Sequence, residues 1–276
     1  MKIIAKFEGG VAERHILPAF EGSQSIDGLS RALTLTSHYL VTGTVRKKYP
    51  FNNMARIYIH PPREGSFEAI YSLFTDKDTV ATTTLYGTVA VGVFGAFLKD
   101  AIELIFKRII GSDHKPKTDQ LKNLLANRAG ELEALGEAVQ PSLIRAHSVI
   151  NHGAGSINII SGSNNIITFN DRSKRYLTTK VEDPTLRQKI VSCGMLNVNT
   201  RNGRIFDIEL ERTVPIRVPR EASPNTLSAL AGSLQRYSSK KFGISGSEVS
   251  ISYTIEADQD GVVKRYIVFD AQEVRP

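Results

Sequence analysis

The spacing of apolar residues at the start of the chain predicts a small strand-helix-strand-strand unit. Residues 3–8 read as an opening strand, and residues 25–42 keep one helical face apolar until Gly43 ends the helix. Two further strand patterns, residues 56–60 and 66–74, flank a turn of proline and glycine. Helix and strands in this order indicate the α+β class.

A stretch without charge, residues 79–98, follows this unit and continues into an amphipathic segment. Together they predict a long Gly-rich helix over about residues 84–110. The second half of this helix has a polar face. Towards the N-terminus, the positions on the same face hold small residues at a spacing of four, and this seam would let another backbone approach closely. The members of this seam are Thr84, Thr88, Gly92 and Ala96.

Two main hypotheses account for the uncharged stretch, and a third is that the helix anchors at the membrane interface. In the first, the helix is half-buried in a soluble fold, and its seam packs on a neighbouring helix or on a second copy of the chain. In the second, residues 79–98 insert into a membrane, and residues 79–110 hold the protein at the inner membrane. Five threonines and three glycines weaken the second hypothesis, because these residues add little to insertion. Both hypotheses stay open at the level of sequence.

The middle of the chain predicts two more helices and a hairpin. Leucine spacing favours a helix over about residues 118–136, and a proline suits the first turn of another at about residues 141–150. These helices complete a first domain, residues 1–150. Residues 151–192 change to Gly, Ser, Asn and Ile and predict a β-hairpin and linker. Within the linker, Asp183-Pro184 favours the start of a short helix.

Residues 193–276 show strand patterns almost throughout and predict a five-stranded β-barrel with one inserted helix. Asn202-Gly203 is typical of a two-residue hairpin turn, and the prolines around the next strand are typical of a sheet edge. Ser223 begins the helix, and the last two strands form a closing hairpin. The fold class is therefore α+β: a strand-helix-strand-strand unit with a long helical section, then a small barrel of the oligonucleotide-binding or SH3-like kind.

Short motifs in the first 74 residues, together with the Gly-rich helix and the barrel pattern, carry a family resemblance. The motifs are His15-Ile-Leu-Pro, Gly28-Leu-Ser-Arg, His38-Tyr-Leu-Val-Thr-Gly-Thr-Val-Arg and Pro62-Arg-Glu-Gly-Ser-Phe. The chain resembles an uncharacterised two-domain bacterial family, whose members are domains of unknown function scattered among bacterial genomes and mobile elements. The resemblance implies an α+β domain plus a barrel. By analogy alone it implies a link to phage defence, and it implies no enzymatic activity.

Composition excludes several kinds of site. The only cysteine is Cys193, which excludes a disulfide framework and suits the cytoplasm. The six histidines lack the spacings of zinc-binding motifs, and neither a phosphate-binding loop nor a nucleophile elbow occurs. We therefore expect no catalytic, metal or cofactor residues. The net charge of +7 is spread over both halves of the chain, so it does not by itself indicate nucleic acid.

Three short clusters place cations beside an aromatic ring, a combination that can neutralise phosphates and stack on a base. The first cluster is Arg46, Lys47, Lys48 and Tyr49; the second is Arg172, Arg175 and Tyr176; the third is Arg236, Tyr237, Lys240 and Lys241. The alternative interpretation of each cluster is a solvated turn whose ring covers the core.

Three functions follow from these patterns. The first is a non-catalytic binding or interaction protein that associates with itself or with another protein. The second is a membrane-acting effector that inserts residues 79–98. The third is a protein that binds single-stranded nucleic acid through the C-terminal barrel. An enzyme is not indicated, since no residue pattern points to a reaction.

Overall fold

The computed structural model describes residues 1–62, 67–73, 91–209, 212–239, 246–257, 261 and 263–274. The chain divides into two units, Met1–Thr178 and Thr179–Pro276.

The first unit is built on an antiparallel five-stranded sheet. Its strands are β1 (Lys2–Glu8), β2 (Ile57–His60), β3 (Glu68–Leu73), β4 (Ser156–Ser161) and β5 (Asn164–Phe169), in the order β2-β3-β1-β4-β5. β1 lies at the centre, where Ile4 pairs with Ile70 on one side and with Ile160 on the other. Residues alternate along β1 between buried and half-buried, so one face of the sheet is covered by the core.

The described ranges of this unit also contain four α-helices: α1 (Ala19–Thr42), α2 (Val91–Ile109), α3 (Asp119–Ala146) and α4 (Asp171–Thr178). α3 packs against both α1 and α2. The helices and the buried sheet face share one core, in which Tyr39, Phe97 and Phe106 are fully buried. Because large aromatic side chains from several elements meet there, burial of apolar area holds the layers together.

The second unit is a closed five-stranded barrel. Its strands are β6 (Val181–Asn197), β7 (Asn202–Asp207), β8 (Arg212–Arg217), β9 (Glu248–Ala257) and β10 (Val263–Glu273), in the order β10-β8-β7-β6-β9. β8 and β10 pair in parallel through Tyr266 and Ile267, whereas the other pairs are antiparallel. The inserted helix α5 (Thr226–Ser239) adds Leu230 to the barrel core. The α+β class, the N-terminal unit and the five-stranded barrel are thus confirmed.

The helix boundaries in the first unit differ from the sequence prediction. The segments predicted as helices over residues 118–136 and 141–150 lie largely in one element, α3, whose backbone departs from helical angles at Arg128 and not at Pro141. Pro141 is exposed, so the carbonyl that its ring leaves unbonded can reach water. Residues beyond Ala146 leave the helix, and Ile150 forms an isolated bridge with Ala154.

The segment predicted as a hairpin and linker, residues 151–192, is divided between the two units. The hairpin is formed by β4 and β5, but it belongs to the first sheet because β4 pairs with β1. The barrel begins at β6, well before residue 193. No helix starts at Asp183-Pro184; these residues lie in β6, at a bulge where the register with β9 shifts between Asp183 and Arg187.

Two further details of the barrel prediction were wrong. Asn202-Gly203 does not form the hairpin turn; it starts β7, and Arg201 takes the left-handed conformation with φ 55°. A Cβ atom on Gly203 would lie 2.5 Å from the Met195 carbonyl oxygen, so the glycine permits close strand approach. β8 is not an edge either, because its pairing with β10 closes the barrel.

The uncharged stretch is described only in part. α2 begins at Val91, and residues 79–90 lie outside the described residues. Among the residues that are described, no helix is both long and apolar enough to cross a membrane.

Candidate functional site

The first cation-aromatic cluster lies on the segment between α1 and β2, residues 44–56, which we call the basic loop. Gly43 ends α1 with φ 69° and donates its N–H to the Tyr39 carbonyl at 2.7 Å. Two contacts hold the loop on α1: the Arg31 guanidinium donates to the Lys47 carbonyl at 2.8 Å, and the Asn52 N–H donates to Nδ1 of His38 at 3.1 Å. The backbone of the loop is therefore fixed by the helix before it.

The two aromatic residues of the basic loop have different roles. Phe51 is half-buried and meets the ring of His38 edge-on, with centroids 5.6 Å apart. Tyr49 touches Phe51 edge-on at 6.4 Å, but 84% of its surface is exposed. Because one ring anchors the loop and the other projects from it, Tyr49 offers an open aromatic face.

The cations of the basic loop are exposed as well. Arg46, Lys47 and Lys48 all face solvent, and no acidic side chain in the described ranges forms an ion pair with them. Burial, and after it the charge of Arg46, lowers the pKa of His38. Arg56, at the other end of the loop, is also exposed and donates to the Asn53 amide oxygen at 2.8 Å. The loop is thus a concentrated positive surface.

β2 continues this surface along the edge of the sheet. Tyr58 is 48% exposed, and it shares a strand face with His60. His60 is exposed, and its Nε2 atom lies 2.7 Å from the Ser72 hydroxyl. A second open tyrosine therefore lies close in sequence to the cations of the basic loop.

The second cluster differs from the first, because its members serve contacts within the protein. Arg175 forms an ion pair with Asp171 at 3.0 Å on α4. The Tyr176 ring packs against Gly111, where a Cβ atom would lie 2.4 Å from the ring. The remaining member of this cluster, Arg172, is exposed and forms no ion pair with a described residue. In this cluster the ring is packed against the chain, whereas the ring of Tyr49 is exposed.

The third cluster is described only in part. Arg236 pairs with Glu273 at 2.9 Å, and Tyr237 is half-buried. Lys240 and Lys241 lie outside the described residues.

The small-residue seam is likewise only partly described. Thr84 and Thr88 lie outside the described residues, while Gly92 and Ala96 lie on α2. Ala96 is exposed, and a Cβ atom on the adjacent Gly95 would meet nothing within 4 Å. Of the four seam residues, Ala96 is therefore the one that the structure describes as exposed.

A buried charged cluster on α2 was missed at the sequence level. Asp100 and Glu103 belong to the polar face predicted for the second half of the helix, but both are buried under the connector that follows α2. His114 of this connector reaches Asp100 through Nε2 at 2.7 Å and Glu103 through Nδ1 at 3.3 Å. The pair of carboxylates three residues apart, followed by Asp-His-Lys-Pro-Lys, was the signal available in the sequence.

Hydrogen bonds keep this cluster charged. Burial alone would raise the pKa of Asp100, but bonds from His114, from the N–H and hydroxyl of Thr118 and from the Lys117 N–H hold it below its usual value. The pKa of Glu103 is lowered against the same burial by Lys107 and Lys117. Since every carboxylate oxygen has a donor, the cluster fastens the connector to α2.

A second charged cluster lies inside one end of the barrel. Asp207 is fully buried and accepts hydrogen bonds from Lys189 at 2.9 Å and from the Tyr266 hydroxyl at 2.8 Å. Lys189 also pairs with Glu209 at 2.8 Å. Burial would lower the pKa of Lys189, but its bonds to Glu209 and Asp207 outweigh this and raise it. The internal charge of Asp207 is compensated within the barrel.

Two further features of the described residues concern thiol and metal chemistry. Burial raises the pKa of the Cys193 thiol to about 11, so the nucleophilic thiolate is disfavoured. In the described ranges, no three His, Cys, Asp or Glu side chains are placed to hold a metal ion. The basic loop is the group of sequence-predicted residues that the structure leaves most available for a partner.

Comparison with known proteins extends the family resemblance. Residues 3–178 match a family described as Domain of unknown function (DUF7946). No curated protein and no solved structure matches the chain. The family match coincides with the first unit, and the barrel follows it.

Proposed function

We propose that this chain, which belongs to the family of the domain of unknown function DUF7946, is a non-catalytic binding protein whose basic loop holds single-stranded nucleic acid. The observation that supports this proposal is the fixed backbone of residues 44–56, from which Arg46, Lys47, Lys48 and Tyr49 project into solvent. A rigid backbone lowers the entropy lost when a flexible ligand is bound.

The chemistry of the basic loop matches the two parts of a nucleotide. Lysine and arginine neutralise phosphates and release counterions. The exposed ring of Tyr49 can stack on a base, but only on one that is not already stacked in a duplex. For this reason the proposal names a single strand. It also moves the binding surface from the barrel, where the sequence placed it, to the first unit.

The test is a binding titration with labelled oligothymidine of about 16 nucleotides, the upper length that one oligonucleotide-binding fold covers. We expect the affinity to fall linearly with salt on logarithmic scales. The double variant Lys47→Gln/Lys48→Gln should reduce the slope by about 1.4, since each phosphate contact to a single strand contributes about 0.7. Lys122→Gln, an exposed lysine on α3 paired with Asp119, is the matched control and should bind as wild type.

The aromatic part of the proposal has a separate readout. Tyr49→Ala should weaken binding by about 1–3 kcal/mol and leave the salt slope unchanged, because stacking releases no counterions. Tyr49→Phe should retain the affinity of wild type. If the double lysine variant keeps the wild-type slope and Tyr49→Ala keeps the wild-type affinity, the basic loop does not bind nucleic acid.

A cytoplasmic location is part of the same proposal. The single, buried cysteine suits a reducing compartment, where nucleic acid is also found. Fractionation of cells that express the full chain tests it: recovery in the membrane pellet would contradict a cytoplasmic location.

A further inference from the structure

The outer face of the barrel carries arginines on three adjacent strands. We call the set Arg201, Arg204, Arg217 and Arg265 the arginine face. Its members come from the turn before β7, from β7, from β8 and from β10, which are neighbours in the barrel. None of these residues belonged to a cluster predicted from the sequence.

Alternation along the strands places these side chains outside the barrel. On β7, Gly203, Ile205 and Asp207 are buried. Arg204 lies between two of these positions, so its side chain points to the opposite, outer face. On β8 and β10, the buried residues Ile216 and Tyr266 give the same direction for Arg217 and Arg265.

Register places the arginines beside one another. Arg217 pairs with Asn202 across β7, so Arg204, two residues on, is its diagonal neighbour at about 7–8 Å. In the parallel pair of β8 and β10, Arg217 lies opposite Ile267. Arg265 precedes Ile267 by two residues on β10, so it is also a neighbour of Arg217. The Arg201 carbonyl accepts the Val218 N–H at 2.8 Å, which brings the fourth arginine to the same end of β8.

Three of the four arginines have no acidic partner among the described residues. Arg201, Arg217 and Arg265 form no ion pair there, and the buried Nε atom of Arg201 has no hydrogen-bond partner. Glu256, which lies across from Arg265 on β9, pairs with Lys180 at 3.4 Å. Like charges on neighbouring strands oppose folding, so the arrangement costs stability unless an anion binds to it.

We propose that the arginine face binds the phosphates of a single-stranded nucleic acid, as a second contact surface separate from the basic loop. Guanidinium groups bind phosphate oxygens in a bidentate manner, and all four cations are arginines. The half-buried Phe206, two residues from Arg204 on the same outer face, offers an aromatic edge among them. The repeated charge along three strands fits a polymer of phosphates better than one isolated anion.

The experiment uses the full chain and the same labelled oligothymidine, with variants of each surface measured separately. Arg217→Gln/Arg265→Gln should reduce the salt slope by about 1.4 and weaken binding roughly 50-fold at 50 mM salt, as expected for two lost phosphate contacts. Arg217→Lys/Arg265→Lys should keep the slope, because the charge is retained. Arg187→Gln, whose wild-type side chain pairs with Asp183 on β6, is the control and should bind as wild type.

Thermal unfolding separates a binding role from a structural one. The glutamine variant should unfold at the same temperature as wild type or higher, because repulsion between cations is relieved. An unchanged salt slope in this variant would overturn the proposal, whatever the basic-loop variants show. An unchanged slope in the Lys47→Gln/Lys48→Gln variant alone would instead overturn the function proposed for the loop. If Arg217→Gln/Arg265→Gln loses binding to anionic phosphatidylserine vesicles but keeps wild-type binding to oligothymidine, the proposal for the arginine face is overturned and the face is assigned to lipid.

Discussion

The Nε2 atom of His114 lies 2.7 Å from Oδ1 of Asp100, in a cluster where both side chains are only 3% exposed. Its other ring nitrogen faces Glu103 at 3.3 Å. The connector after α2 is therefore held by a histidine ring that lies between two buried carboxylates.

Removal of the His114 ring should destabilise the first unit. His114→Ala leaves Asp100 and Glu103 buried and takes away the ring nitrogens that they contact, so we expect a loss of about 3 kcal/mol in the free energy of unfolding. Urea denaturation followed by circular dichroism measures it. His152→Ala replaces an exposed histidine of the same unit and is the control. Equal stability of the two variants would show that the His114 contacts do not hold the connector.

The crossing of α1 and α3 should depend on one glycine. A Cβ atom on Gly28 would lie 2.4 Å from the backbone nitrogen of Ala146 and 2.5 Å from the Ser142 carbonyl oxygen. Gly28→Ala must push the helices apart, and we expect it to cost about 3 kcal/mol. On α3, a Cβ atom on Gly136 would meet nothing within 4 Å, so Gly136→Ala should stabilise by up to about 1 kcal/mol. Two variants of equal stability in thermal unfolding would contradict this packing.

Acid should destabilise the first unit through His147. Burial lowers the pKa of this histidine from 6.5 to about 4, with Nδ1 against the Leu143 carbonyl and Nε2 against the Ser173 hydroxyl. The neutral ring is favoured in the folded protein, so its contribution is complete above pH 6.5 and is lost as the pH falls to about 4. The loss amounts to about 3 kcal/mol. His38, whose pKa is also lowered, adds to it with the same sign.

Denaturation midpoints between pH 7 and pH 4 test this dependence. In His147→Gln the group no longer titrates, so the fall in stability over this range should shrink by the part that His147 contributes. A variant that loses stability on acidification as steeply as wild type would show that His147 does not carry the effect.

Local patterns in the sequence were sufficient for much of the fold. The alternation around Ile3 and the apolar face of α1 predicted elements that the structure contains, as did all five barrel strands. These predictions succeed because a strand or helix that packs on a core must place apolar residues at regular, short intervals along the chain. Boundaries failed where tertiary contacts decide them: β4 joins the first sheet by pairing with β1, and Pro141 stays inside α3.

The candidate site was less predictable, because charge and exposure depend on residues far apart in sequence. Arg46 and Arg236 look alike in the sequence, yet only Arg236 meets an acidic residue, Glu273, at the end of the chain. Tyr49 and Tyr176 likewise differ only in the fold, since the second ring is packed on Gly111. The arginine face follows from strand register, which spacing along the chain does not reveal.

The central claim, that the basic loop contacts single-stranded nucleic acid, is tested most directly by ultraviolet cross-linking. The full chain is irradiated with oligothymidine, digested with trypsin and analysed by mass spectrometry. Cleavage after Lys48 and Arg56 releases Tyr49 within residues 49–56. The structure predicts that this peptide carries the oligonucleotide, and that Tyr49→Ala abolishes the adduct. Cross-links found only in other peptides, or a 49–56 peptide without nucleotide at saturating ligand, would contradict the claim.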